Sequence, residues 1–313
     1  MLQEIKAGQL TVRGVSVGGI HTALHVPQYG IGLDAGMALR SFAGVRTLLL
    51  THGHVDHAGA LSALLGIRAL NGMQRPLRVV MPAEIVPHVN AALEAMSVLQ
   101  HWPLAIEAVG LRAGEECPLE GDLVIRACQA FHVVPCLAYQ IVRRVRRLKP
   151  EFHGLGGQEI RRRSAAGEDL FALHDIAEFA YVTDTLVSVL DHHPELLDTK
   201  VLVIESTFLD GRKSLEATRA GCHIHLDELI ERADRFRNEH IVLMHLSQMY
   251  APGEVNAILD ARLPEGLRRR TQALLPSQDR MGTGKPRESA NGGQPAGRTA
   301  RRRWHRAPGT RHH

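Results

Sequence analysis

Apolar residues along the first 263 positions fall into two rhythms. Short runs that are almost wholly apolar occupy 10–17, 21–26, 30–33, 46–50, 77–81, 123–127, 137–142, 179–182, 201–204 and 241–244. Bounded by Gly, Pro and polar residues, they predict strands. Stretches at 56–70, 83–99, 225–236 and 252–263 instead repeat Ala, Leu or Ile every three or four residues, the helical period, and the second follows Pro82. Strands cluster first, then mix with helices, and the order recurs in the second half. It predicts an α/β fold, a four-layer αββα sandwich of two mixed β-sheets flanked by helices. No repeat of 20 to 50 residues is visible.

Two segments break the rhythm. The segment 143–168 carries eight Lys and Arg with Gly154, Gly156 and Gly157 among them, and is expected to project from the body as a basic insertion. Past Leu263-Pro264-Glu265-Gly266 the chain turns to Gly, Pro, Arg, Ser and Thr. Such a composition buries too little surface to offset ordering entropy, so 266–313 is expected to be a basic disordered tail behind a domain of residues 1–265. The cluster Arg301-Arg302-Arg303-Trp304-His305-Arg306 suits either a nucleic-acid backbone or plain solvation.

Charge sharpens that division. The net +4 is uneven: residues 268–313 hold 12 Lys and Arg against 2 acidic residues, leaving 25 basic and 31 acidic in the first 267. The body is mildly acidic, so composition implies no long basic groove across it. Aromatic residues are 4% of the chain, and its core rests on aliphatic side chains. The four cysteines (Cys117, Cys128, Cys136, Cys222) lack C-x-x-C spacing and read as reduced core thiols. No apolar run approaches the roughly 20 residues of a membrane span. The first residues lack the charged start and apolar stretch of a signal peptide. A cytoplasmic protein without membrane contact is expected.

The chemistry concentrates after the 46–50 run. His52, His54, Asp56 and His57 stand within six residues, at H-x-H-x-D-H spacing. Leaving a strand end, such a loop can aim His52 and His54 at one cation and Asp56 and His57 at a second. Imidazole nitrogen and carboxylate oxygen suit Zn²⁺, and the same donors also accept manganese or iron. Burying these groups together without a cation would leave several needing partners. Two cations need more ligands, and His132, Asp184 and His245 each follow an apolar run, where site residues of layered α/β folds collect.

These motifs resemble the metallo-β-lactamase superfamily, and within it the ribonuclease Z (tRNA 3′-processing endonuclease) group, over about residues 10–262. The matches are His52-Gly53-His54-Val55-Asp56-His57, Ile31-Gly32-Leu33-Asp34-Ala35-Gly36, His132-Val133-Val134-Pro135 before Tyr139, Thr183-Asp184-Thr185, Val203-Ile204-Glu205-Ser206-Thr207-Phe208 and Met244-His245-Leu246-Ser247-Gln248-Met249-Tyr250. The resemblance implies a dinuclear phosphodiesterase acting on tRNA 3′ ends. His52, His54 and His132 would hold one cation, Asp56, His57 and His245 the other, with Asp184 bridging and an activated water attacking phosphorus. It further implies that Asp56 accepts the proton of that water. His223, oriented by Glu205, would protonate the leaving group, with His225 as the competitor for that role. Asp34 would orient the metal loop.

This chain departs from the group at Thr183, where glycine is usual, and at Met249, where arginine is common. The 143–168 insertion also lacks the Gly-Pro-rich arm of many members. Its cations could bind an RNA backbone or merely face solvent. The scaffold alone leaves rival functions open: a hydrolase of a small phosphodiester, sulfate ester or lactone, or a non-catalytic RNA-binding protein with a vestigial metal site. Steep salt dependence would favour RNA, and missing ligands would have favoured the vestigial site. Oligomeric state stays open, with a homodimer the commonest soluble assembly.

Overall fold

The structure, a computed structural model, describes residues 2–276. Its first sheet takes strands β1 (Gln3–Ala7), β2 (Leu10–Val17), β3 (His21–Val26), β4 (Ile31–Leu33), β5 (Thr47–Leu49), β6 (Leu77–Pro82) and β7 (Ile106–Leu111), side by side in chain order. β1 to β4 pair antiparallel and β4 to β7 parallel. Parallel neighbours need a crossover. Helices α1 (Val55–Ala58) and α2 (Leu61–Leu70) join β5 to β6, and α3 (Val86–Gln100) joins β6 to β7.

The second sheet repeats this plan. β8 (Glu116–Pro118), β9 (Leu123–Gln129), β10 (Leu137–Leu148) and β11 (Phe171–Val182) pair antiparallel, with α4 (Gly157–Ala165) between the last two. β11, β12 (Val201–Glu205), β13 (His240–Met244) and β14 (Thr271–Ala273) then run parallel. α5 (Val189–His192), α6 (Leu215–Ala220), α7 (Leu226–Ile230), α8 (Pro252–Arg262) and α9 (Glu265–Arg268) supply these crossovers.

Alternate side chains of the strands sort into three apolar layers. Leu49, Val203, Val242 and Met244 enter a core between the sheets with Leu24, Ile31, Tyr139 and Phe179. Leu48 and Leu50 face outward onto Leu61, Leu64 and Leu65 of α2, while Leu202, Ile204 and Leu243 face Leu229, Val255 and Leu259 of α7 and α8. Strands covered on both faces have no polar side, hence the unbroken apolar runs in the sequence. The expected αββα sandwich is the observed one.

Four strands escaped the sequence pattern, β1, β7, β8 and β14, as did the short helices α4, α5, α6 and α9. β1 and β7 are edge or near-edge strands with exposed or half-buried positions, and β8 and β14 are three residues long. Gly59 and Ala60 split the expected 56–70 helix into α1 and α2, and the expected 225–236 helix ends at Ile230. The 143–168 segment is strand only at its start, because β10 runs on to Leu148, and the rest of it, α4 included, lies between β10 and β11. β9 pairs with β10 only as far as Arg143, and from there β10 and β11 pair with each other to Leu148 and Phe171 as a hairpin leaving the sheet.

That hairpin is less basic than its composition. Arg143 pairs with Glu178, Arg144 with Asp175 and Glu116, Lys149 with Asp169, and Arg162 and Arg163 with Glu159. Arg146, Arg147 and Arg161 are exposed and, among the described residues, have no carboxylate partner.

The boundary expected at residue 265 falls too early. α9 and β14 follow it, and Leu274 is fully buried in the core between the sheets. The Gln3 side chain accepts a hydrogen bond from the Leu275 amide, and Gln272 donates to the Lys6 carbonyl, so this end is tied across to β1. Apolar Leu267, Leu274 and Leu275 are too sparse among arginines to register as a pattern. The rest of the expected tail lies outside the described residues.

Leu274→Ala should therefore destabilise the fold by about 2–4 kcal/mol, the usual penalty for emptying a buried leucine site. Urea unfolding would register it, and an unchanged midpoint would exclude this end from the core.

Candidate metal centre

The site residues sit where strands end. Asp34 follows β4, the His52–His57 loop follows β5, His132 follows β9, Asp184 follows β11, Glu205 closes β12 and His245 follows β13. In open parallel sheets this carboxyl edge is where ligands bind. Three of these residues, Asp34 (φ +56°), Asp184 (φ +46°) and His245 (φ +57°), have the left-handed backbone that side chains rarely adopt. Such strain persists only where surrounding bonds hold it. Asp34 donates its amide to Leu49 O at 2.9 Å, and the His245 amide donates to Ser16 Oγ at 3.0 Å.

The metal loop is pinned against the segment after β4. The Ala35 amide donates to His57 O at 2.6 Å, and the Ala60 amide to Ala35 O at 2.9 Å. A Cβ on Gly36 would lie 1.8 Å from Asp56 O, so this close approach requires glycine. His54 stands just before α1 without a side-chain capping bond, leaving Asp56 and His57 in the helix itself.

The seven expected ligands assemble as two clusters sharing one carboxylate. His52, His54, His132 and Asp184 form the first, and Asp56, His57, Asp184 and His245 the second. Asp184 Oδ2 lies 3.8 Å from His52 Nε2, while its Oδ1 lies 3.3 Å from the Nε2 atoms of both His57 and His245. Asp56 Oδ2 is 3.5 Å and 3.7 Å from the same two nitrogens. His132 Nε2 faces His54 Nδ1 at 3.2 Å.

Two buried carboxylates support these clusters from behind. Asp34 accepts from the Thr51 amide at 2.8 Å, the Thr51 hydroxyl at 3.0 Å, His57 Nδ1 at 2.8 Å and the Tyr181 hydroxyl at 2.7 Å. Glu205 accepts from the Thr185 amide at 2.7 Å, the Thr207 hydroxyl at 2.6 Å, the Ile224 amide at 3.2 Å and His223 Nδ1 at 3.2 Å. His52 Nδ1 lies 3.0 Å from Thr51 Oγ1 and His245 Nδ1 lies 3.1 Å from Thr207 Oγ1.

The donor set fits cations. His57 Nε2 and His245 Nε2 point at each other 3.3 Å apart, although each ring already engages a partner through Nδ1. His52 Nε2 and His132 Nδ1 are buried with no hydrogen-bond partner at all. Groups so placed are costly unless something positive lies among them. The electrostatics agree. Burial works against the charge of Asp184, yet His245 and His57 outweigh it and hold its pKa well below the carboxylate range. Burial likewise opposes charging His57, but Asp184 and Asp34 raise its pKa well above the imidazole value. His52, desolvated and beside His57, is pushed down to about 2. One ring is forced to hold a proton and another to refuse it, where cations would satisfy both.

His223 and His225 have different jobs. His223 is half-buried beside His245 and His132, with ring centres 5.3 and 5.9 Å away. Burial lowers its pKa, but Glu205 outweighs that and raises it to about 9. His225 instead caps α7: Nδ1 accepts from the Asp227 amide and Nε2 donates to Asp210 O at 3.0 Å. Both of its nitrogens are used, so His225 is the structural one of the pair.

Thr183 puts its hydroxyl 2.8 Å from Asp184 Oδ1, and Met249 is 38% exposed near His245. Thr51, Thr207, Tyr181 and Ser16 were missed as site residues. Lone hydroxyls carry no spacing signal, and Ser16 meets His245 across 229 residues of chain.

With this geometry in view, the comparisons are specific. Residues 33–246 match the family model described as a β-lactamase superfamily domain. The chain is 34% identical to tRNase Z TRZ1 of Arabidopsis thaliana over 265 residues, covering 84% of this chain and 94% of that protein. It is 30% identical to the chloroplastic tRNase Z TRZ2 of the same plant, covering 78% and 69%. Among solved structures, the metallo-β-lactamase fold protein YhfI of Bacillus subtilis superimposes with a TM-score of 0.53 at 14% identity, covering 84% and 94%, a likeness of fold.

Gly36→Ala should displace the metal loop and remove bound cation, since the new methyl meets backbone. Metal content by mass spectrometry would show it, and full stoichiometry would contradict the close packing of this loop.

Proposed function

The chain belongs to the tRNase Z family of the β-lactamase superfamily, and from that premise we propose that it is a metal-dependent endoribonuclease that removes 3′ trailers from tRNA precursors, with a zinc pair at its centre. One observation carries the reading: Nε2 of His57, Nε2 of His245 and Oδ1 of Asp184 meet within 3.3 Å of one another, a buried donor set of the kind a divalent cation takes.

We assign His52, His54 and His132 to one cation, Asp56, His57 and His245 to the other, and Asp184 to both through its two oxygens. When bound, such a pair supplies Lewis acidity toward a phosphodiester and makes a water nucleophilic near neutral pH. The protein's own groups do the rest. Asp56, 18% exposed at its side chain, faces the mouth of the site. Burial opposes its charge, but His245 and His57 beside it keep it ionised at the place where an incoming water would give up its proton. His223, kept cationic by Glu205, holds a proton on Nε2 for the departing ribose oxygen. Such general acid help is typically worth about 10²–10⁴-fold.

RNA would meet the hairpin at Arg146, Arg147 and Arg161, the cations left over after internal pairing. Three fewer phosphate contacts should lower the slope of log affinity against log salt by about 3. A homodimer belongs to the same reading. α3 buries only Leu93, and Val98 and Leu99 at its end and Trp102 just after it stand exposed, apolar positions of the kind that mark a protein contact. Four unpaired cysteines suit a reducing compartment such as the cytoplasm, and no helix among the described residues is long and apolar enough to cross a membrane.

The test is cleavage of a tRNA precursor with and without chelator. Activity should vanish on chelation, return with Zn²⁺ and be absent in Asp56→Ala; a chelator-insensitive enzyme would end the proposal. His223→Ala should retain both cations while kcat falls about 10²–10⁴-fold; loss of a cation would make His223 a ligand instead. Because the His223 pKa lies above the ordinary 6.5, its proton is present below about pH 9 and lost above it. The rate should thus fall as pH rises through about 9, and this limb should be missing from the His223→Ala profile.

A further inference from the structure

Asp34 and Glu205 frame the centre in the same way. We infer that each sets, through one threonine hydroxyl, the tautomer of one histidine ligand: Asp34 through Thr51 for His52, and Glu205 through Thr207 for His245. The inference rests on the two-cation reading above.

A threonine hydroxyl has one hydrogen and two lone pairs. The Thr207 hydrogen points to Glu205 Oε2 at 2.6 Å, so its 3.1 Å contact with His245 Nδ1 can only be a bond donated by the ring. The ring proton is thereby fixed on Nδ1, and Nε2 is left bare toward Asp184 and His57. Thr51 repeats this. Its hydrogen lies between the Asp34 oxygens, both at 3.0 Å, so His52 Nδ1 donates to it at 3.0 Å and His52 Nε2 is bare. That nitrogen is the buried atom without a partner. Turning either hydroxyl around would take a donor from a fully buried carboxylate and put a proton where the cation must bind.

Each carboxylate has four donors, and each also grips a second imidazole directly: Asp34 takes His57 Nδ1 and Glu205 takes His223 Nδ1. Asp34 thus orients one ligand from each cluster. Glu205 anchors a ligand of the second cluster and the proton donor together. Thr51 and Thr207 do not face the reacting atoms and act only through the rings, which makes them positioning residues. Partners of this kind are typically worth about 10–100-fold in metal affinity.

The experiment is a calorimetric titration of cation-free full-length protein with Zn²⁺, with the fold checked by circular dichroism. Wild type should show two binding events, one missing in His245→Ala and the other in His132→Ala. Thr207→Val should weaken the His245-dependent event about 10–100-fold and spare the other. Thr51→Val should do the reverse, and the serine variants should restore wild-type affinity. In ¹⁵N spectra of the imidazoles, Thr207→Val should loosen the Nδ1–H tautomer of His245. Unchanged affinities in both valine variants would overturn the inference, as would equal weakening of both events that serine fails to rescue. Absence of Zn²⁺ binding by wild type would instead overturn the metal reading itself.

Discussion

Imidazole rings with fixed tautomers, aimed at one another inside a protein, impose the constraint from which the rest of this structure follows. His57 and His245 each commit Nδ1 to a partner, and their Nε2 atoms then meet at 3.3 Å with Asp184 equally near. Left alone, this arrangement crowds two ring nitrogens and a carboxylate oxygen together away from water. A positive charge at that point turns it into a coordination shell, and the same holds for the bare Nε2 of His52. The centre is an anvil shaped for cations before any arrive.

Holding such groups together requires a frame stiffer than a loop. Two sheets buried on both faces supply it, because their strands end together and their three apolar layers fix the spacing of those ends. The strain at Asp34, Asp184 and His245 collects at this edge. A backbone forced into the left-handed region turns each side chain sharply off its strand, and a dense bond network keeps it there. Ser16, donating nothing to chemistry, accepts the amide of His245 from the opposite sheet and so links the halves at the point of greatest demand.

The proposed RNA contact lies farther out, on weaker physics. The hairpin beyond β9 cancels most of its own charge, leaving few arginines free for phosphates. Exposed pairs of this type contribute about 0–1 kcal/mol each, so they shape the arm's field more than its stability. The division suits a nuclease: a centre that tolerates no displacement, and an arm whose contacts need only add up.

The sequence by itself determined the sandwich, through apolar runs at 46–50, 201–204 and 241–244 that doubly covered strands explain, and it picked out the candidate ligands, through H-x-H-x-D-H and the histidines and aspartate after later runs. Both signals are local, and period and spacing survive in one dimension. Tertiary structure decided what depends on distant pairing. It separated His223 from His225, which are alike in sequence but differ in whether Glu205 or the α7 backbone receives them. It neutralised the basic insertion, since the carboxylates facing Arg143 and Arg144 come from Asp122, Asp175, Glu178 and Glu116, up to 35 residues away. It also joined α9 and β14 to the body, and made Thr51 and Thr207 into hydrogen-bond relays. A hydroxyl or an arginine carries no mark of its partner in the chain, and its role exists only once folding has chosen what stands within 3 Å of it.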